Sequence, residues 1–200
     1  MRDQVPWWGL VSSVAAPVLL IGGWTVAAGL QPDTFDSVSD TISALAALDA
    51  SDRWVMTAGL AGLGVCHVTT ALALRPLARP GRLMLAVGGV ATLLVAAFPL
   101  PADESGSVPH TIAATVAFAA LSVWPALGRR RHDGQRGVRM PAPARPAVAL
   151  GAAAVLLGLL GWFGAELAAE DGRVGLSERA VAGAQSLWPL AAVLAIRRKR

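Results

Sequence analysis

The 200-residue chain has one cysteine, no tyrosine and a single lysine, and only 15% of its residues are charged. Each shortage excludes something. With Cys66 alone, neither an intramolecular disulfide nor a cysteine-based metal site can form. A soluble globular chain carries about 25% charged residues, so a water-facing surface of ordinary polarity is excluded too. HExxH, phosphate-loop and GxSxG motifs are all missing, which removes the familiar signatures of zinc, nucleotide and serine-hydrolase chemistry. Of the three histidines only His110 falls clearly in an outer region, so no metal site and no cofactor are expected. The near absence of lysine beside abundant arginine, alanine and glycine is the composition of a GC-rich genome.

What the chain has instead is apolar length. Hydrophobic residues make up 54% of it, and the mean hydropathy is +0.55. They come in blocks, each near the ~20 residues that a helix needs to cross hydrocarbon. Six such blocks predict six transmembrane helices: Trp8 to Leu30, Trp54 to Leu74, Leu83 to Leu100, His110 to Leu127, Ala147 to Ala165 and Leu176 to Ile196. The expected fold is all-α, a single six-helix membrane bundle over the whole chain. The first block exceeds a signal-peptide core, and its removal would break the paired topology, so cleavage near Ala27-Ala28-Gly29 is not expected.

The connections alternate in sign. Asp33, Asp36, Asp40, Asp49 and Asp52 follow the first block; Arg75, Arg79 and Arg82 follow the second; Asp103 and Glu104 the third. A run from Arg129 to Arg145 follows the fourth, an acid-rich loop with Glu166, Glu170, Asp171 and Glu178 the fifth, and the chain ends Arg197-Arg198-Lys199-Arg200. Basic loops stay in the cytoplasm, so both termini are expected inside and the acidic loops outside. The net charge of +4 is therefore topology information and no nucleic-acid partner is expected. Most of the seven tryptophans sit near block ends, as an interfacial aromatic belt would. Small residues such as Gly59, Gly62, Gly88 and Gly89 predict close helix packing.

Chemistry-bearing residues gather outside. The first outer loop, from Leu30 onward, is longer than a tight helix connection requires. Val38, Ile42 and Leu45 share one face at i, i+4 and i+7, predicting a short interfacial helix capped by Asp36 or Ser37. Pro99, Pro101 and Pro109 fix a rigid connection holding Asp103 and His110. Glu166 follows Trp162 and Phe163, and a carboxyl beside aromatic faces at the lipid boundary suits a general acid. Arg179 stands at a helix start, against the dipole, and calls for an acidic or anionic partner. Gln185 and His67 are the polar groups deepest in the helices. A buried ionisable group is a functional candidate, although a histidine bonded to Thr69, Thr70 or a backbone carbonyl serves structure equally well.

Three short segments carry a resemblance: Thr41-Ile42-Ser43-Ala44-Leu45, Pro101-Ala102-Asp103 with His110, and Gly175-Leu176-Ser177-Glu178-Arg179. The chain resembles the bacterial six-span family catalogued as domain of unknown function 998. That resemblance implies the fold and topology and carries no activity. In size, span count and acid-lined outer mouth above aromatic helices, the chain is also similar to small actinobacterial membrane terpene cyclases.

Two functional expectations follow. In one, an enzyme takes a hydrophobic, prenyl- or lipid-like substrate into an outward-facing pocket, and an acid protonates it. Catalytic candidates are Asp36, Asp40, Asp103, His110 and Glu166. Asp33, Phe35, Trp54, Trp162, Phe163, Arg179 and Gln185 would line the binding site, with aromatic faces steadying a cation. In the other, the chain is a transporter or a binding or assembly protein. Beyond the substrate, membrane lipids are the only partners expected, and the oligomeric state is left open.

Overall fold

A computed structural model describes residues 4–102, 106–130, 140–169 and 172–198. Six long helices make up most of it: α1 Trp7–Ala28, α2 Trp54–Ala73, α3 Arg79–Ala97, α4 Val108–Gly128, α5 Pro146–Ala169 and α6 Val174–Arg197. There is no strand among the described residues. All six are long and apolar enough to cross a membrane, and the chain is a multi-pass membrane protein.

The helix ends follow local chemistry more closely than hydropathy does. α3 starts one turn before its apolar block, at Arg79, because Pro80 fits a first turn whose N–H groups need no partner. It stops at Ala97, ahead of Pro99 and Pro101. α4 starts at Val108 because the Ser107 side chain accepts a hydrogen bond from the His110 backbone N–H at 3.3 Å. α5 runs on to Ala169, so Glu166 lies within the helix and not beyond it.

Each helix packs on the next, and α6 returns to pack on α1, closing a ring. The backbones come close where glycine allows it. A Cβ on Gly64 of α2 would lie 2.6 Å from the Gly89 carbonyl oxygen of α3, and one on Gly89 would lie 2.7 Å from the Gly64 carbonyl oxygen. The two helices therefore touch backbone to backbone, the use of small residues that membrane packing favours. Apolar side chains that point outward, such as Val18, Leu83, Ile112 and Val155, are exposed on the bundle surface, where lipid solvates them. α5 is the outermost helix, with 17% of its apolar window buried against 33–50% for the other five.

Both chain ends lie at one end of the bundle, where the Arg197 guanidinium donates to the Val5 carbonyl at 2.9 Å. The tryptophan belt is partial. Trp7 and Trp54 are 72% and 66% exposed at helix ends, whereas Trp124 is wholly buried in the core of the basic end.

The interfacial helix expected in the first outer loop is reduced to a 3₁₀ turn, Ala44–Ala46. Ahead of it the loop side chains take the backbone donors that a helix would use: Asp40 accepts from the Asp36 N–H, and Asp36 from the Val38 N–H. Ile42 and Leu45 are buried as the pattern requires, but Val38 stays 41% exposed.

Candidate functional site: a polar chamber under the first outer loop

The bundle core has two apolar layers. One, toward the acidic loops, contains Leu20, Leu45, Met56, Leu60, Leu63 and Val95. The other, toward the basic loops, contains Leu74, Leu77, Leu85, Leu121, Trp124 and Val193. Between them lies a cavity of about 50 Å³, lined by residues of α1, α2, α3, α4, α6 and the α1–α2 loop, the one expected to be the first outer loop. That is room for a few water molecules or the reacting end of a larger one.

Its polar wall comes from distant parts of the sequence. Glu178, Ala182 and Gln185 of α6 all line it, spaced i, i+4 and i+7 on one helix face. At 1.5 Å per residue, Glu178 lies about 6 Å and Gln185 about 16 Å into α6. His67 faces them from α2, about 20 Å below its acidic-end start. Thr92 of α3 and Ser43 of the loop complete the set. Glu178, Gln185 and His67 are 4%, 2% and 0% exposed.

These groups differ in how they are held. Gln185 donates to the Phe118 carbonyl and to the Ser122 hydroxyl, both at 2.9 Å. Thr92 donates to the Gly88 carbonyl at 2.8 Å. Glu178 accepts the backbone N–H of Ile42. His67 is different: neither ring nitrogen has a hydrogen-bond partner in the protein. Thr70, one turn below it, pairs with Ser12 at 2.8 Å instead. A wholly buried polar group without a partner costs free energy, so an imidazole aimed into a cavity marks a place for a ligand.

The roof is the α1–α2 loop, fastened to the start of α6. The Leu176 N–H donates to the Val38 carbonyl at 2.9 Å. One Arg179 nitrogen donates to the carbonyls of Ser37 at 2.8 Å, Asp40 at 2.6 Å and Gly175 at 3.1 Å. The Phe35 ring lies 6.0 Å from the guanidinium. Gly175 lies so close to the loop that any Cβ there would strike the Asp40 carbonyl. From the other side, the His110 Nδ1–H donates to the Phe98 carbonyl at 2.8 Å, and its Nε2 pairs with the Ser43 hydroxyl at 3.1 Å.

The residues expected from the sequence distribute around this chamber. Gln185 lines it, and Arg179, Phe35 and His110 hold its roof. The Arg179 guanidinium bonds carbonyl oxygens, with the charges of Glu178, Asp40 and Asp36 also acting on it. Asp36 and Asp40 shape the roof, and Asp33 is exposed outside it. Phe163 stacks behind the cavity wall on Phe118, ring centroids 5.3 Å apart. Glu166 stands apart on α5, accepting from the Trp162 indole at 2.8 Å and 3.4 Å from an Arg173 nitrogen. Trp54 is exposed and donates to Asp52. Asp103 lies outside the described residues. Glu178, Ser43 and Thr92 line the chamber without having been candidates for a site; Glu178 had served to mark loop polarity and as part of a segment carrying the family resemblance. Among the described residues no three His, Cys, Asp or Glu side chains converge as a metal site would need.

The segments that carried the resemblance thus meet in space. Ile42 and Ser43 touch Glu178 and His110, bringing the first outer loop, the start of α4 and the start of α6 to one point. No curated protein and no solved structure matches the chain. The family described as protein of unknown function, DUF998, matches residues 13–195. Nearly the whole chain, chamber and roof included, is covered by that match, and the protein belongs to the DUF998 family.

Proposed function

We propose that the protein is a membrane-embedded enzyme that uses acid catalysis on a hydrophobic, lipid- or prenyl-like substrate entering from the acidic side. One observation carries this reading: a carboxyl, an amide and an unpartnered imidazole line one cavity within apolar helices. Binding sites for small molecules combine mostly apolar walls with a few convergent polar groups. Glu178 is the proton donor. His67 meets the polar or developing charged centre of the substrate, and Gln185, fixed by two bonds, orients it. For an alkene substrate, as in terpene cyclisation, protonation by Glu178 leaves a cation. The Phe118 face, backed by Phe163, steadies it by roughly 0.5–2 kcal/mol.

The cavity holds a reacting end and not a chain, so the roof has to lift for entry and the chain lies among the helices. The apolar layer with Trp124 closes the floor, which favours catalysis over passage to the other side. The positive-inside rule puts the arginine-rich end and both termini in the cytoplasm of a bacterial inner membrane. Site-specific labelling of single cysteines at Asp33 and Arg130 tests that orientation.

The catalytic reading is tested with Glu178→Gln in purified, reconstituted protein. The assay offers polyprenyl and membrane-lipid substrates and follows products by mass spectrometry. Gln keeps an acceptor for the Ile42 N–H but cannot deliver a proton, so turnover is lost while the fold is kept. Undiminished turnover refutes the mechanism.

A further inference from the structure

At the basic end, α2 leads into α3 and α4 ends beside them. Arg75, Arg79, Arg129 and Arg130 are exposed there and Arg82 is half-buried. The charges of Arg75, Arg79 and Arg130 all act on Arg82. The described acids, Asp33, Asp36, Asp40, Asp49, Asp52, Glu166 and Glu178, lie at the opposite end. Among the described residues the cluster therefore has no counter-ion, and like charges held together cost free energy.

The cluster is also framed. Arg82 donates to the Ala71 and Leu72 carbonyls at 2.9 and 3.4 Å, and Arg130 donates to the Arg75 carbonyl at 3.2 Å. The Ala78 N–H bonds the Gly128 carbonyl at 3.1 Å, and the Gly81 and Gly128 backbones touch. α3 begins at this point with no acidic residue in its first turn and no side-chain cap, so its free N–H groups add positive potential.

An apolar groove starts at the same place. It has a volume of about 640 Å³ and runs between α3 and α4, from Leu83 past Val87, Val90 and Ile112 to Phe98. Arg79 and Leu83 are one turn apart on the same face of α3. From Leu83 to Phe98 the groove follows α3 for about 22 Å, longer than the ~15 Å of one hydrocarbon leaflet. The arginines suit a phosphate and the groove suits an apolar chain, and their adjacency lets one molecule span both.

We infer that the arginine cluster and the α3–α4 groove together form a binding site for an anionic phospholipid. Guanidinium forks receive the phosphate, and an acyl chain lies along Leu83, Val87 and Val90. This site is on the outer wall of the bundle and is independent of the chamber.

The test uses the full chain, purified in mild detergent and offered phosphatidylglycerol or phosphatidylcholine, with bound lipid measured by native mass spectrometry. Phosphatidylglycerol is expected to be retained preferentially. Arg75→Gln with Arg79→Gln lowers that retention at least about tenfold, given the attraction each surface arginine supplies. Arg145→Gln with Arg198→Gln removes the same charge elsewhere at that end and leaves retention unchanged. Val87→Trp, which fills the groove, also lowers it. Equal retention of both lipids, or an equal loss in the two double variants, overturns the site in favour of diffuse attraction. Inorganic phosphate that displaces the lipid fully, with Val87→Trp silent, overturns the lipid assignment in favour of a soluble anion.

Discussion

Gly175→Ala tests whether the loop over the chamber is a latched roof. Helix propensity alone favours alanine by about 1 kcal/mol, so any destabilisation has to come from contact. The new methyl would strike the Asp40 carbonyl, 2.8 Å from its carbon, and sit 2.9 Å from an Arg179 nitrogen. The loop has to move away, which weakens the Leu176–Val38, Ile42–Glu178 and Arg179–Asp40 bonds together. At about 1 kcal/mol net per hydrogen bond, losing two or three lowers the cost of opening by about 2–3 kcal/mol. That is roughly 30- to 150-fold in the open population. The readout is the rate at which a water-soluble maleimide modifies a cysteine placed at Ser43, which lines the cavity. The background is Cys66→Ala, since that thiol is the native one. A rate within a few-fold of the parent would refute the latch. Slower labelling would show that helix propensity, and not the contact, governs the start of α6.

Gly64→Val forces apart the α2 and α3 backbones, and overpacking of about 1–3 kcal/mol lowers the thermal midpoint in detergent. Gly22→Ala, where nothing lies within 4 Å, does not lower it and serves as the control. His67→Leu removes two unpartnered buried nitrogens at about 1–3 kcal/mol each. The midpoint therefore holds or rises while turnover disappears; a large drop would mean that the ring is structural.

The sequence was explicit about what lipid dictates and silent about what packing decides. Six spans and their ends at a common face follow from hydropathy and charge, and the Val5–Arg197 bond agrees with the pairing. The roof residues were half legible. Ile42 and Leu45 showed the buried face, but the pull of Arg179 and Glu178 on the loop backbone depends on α6, far along the chain. Glu178 was hidden by company: among loop acids it read as a topology mark, although its i, i+4, i+7 spacing with Ala182 and Gln185 was open to view. His67 stood out as polar at depth, yet only coordinates could separate a bonded core histidine from an unpartnered one.

Closing the ring through α6 and α1 bears on how the protein is made. Among themselves, helices α1 to α5 pack on their chain neighbours, an arrangement compatible with insertion in order as they are synthesised. The helix that arrives last brings both Glu178 and Gln185. Until it docks, His67 faces an open seam; once it docks, polar groups from both ends of the chain are enclosed in a single step. A chain that stops before α6 therefore lacks both the carboxyl and the amide of the chamber wall.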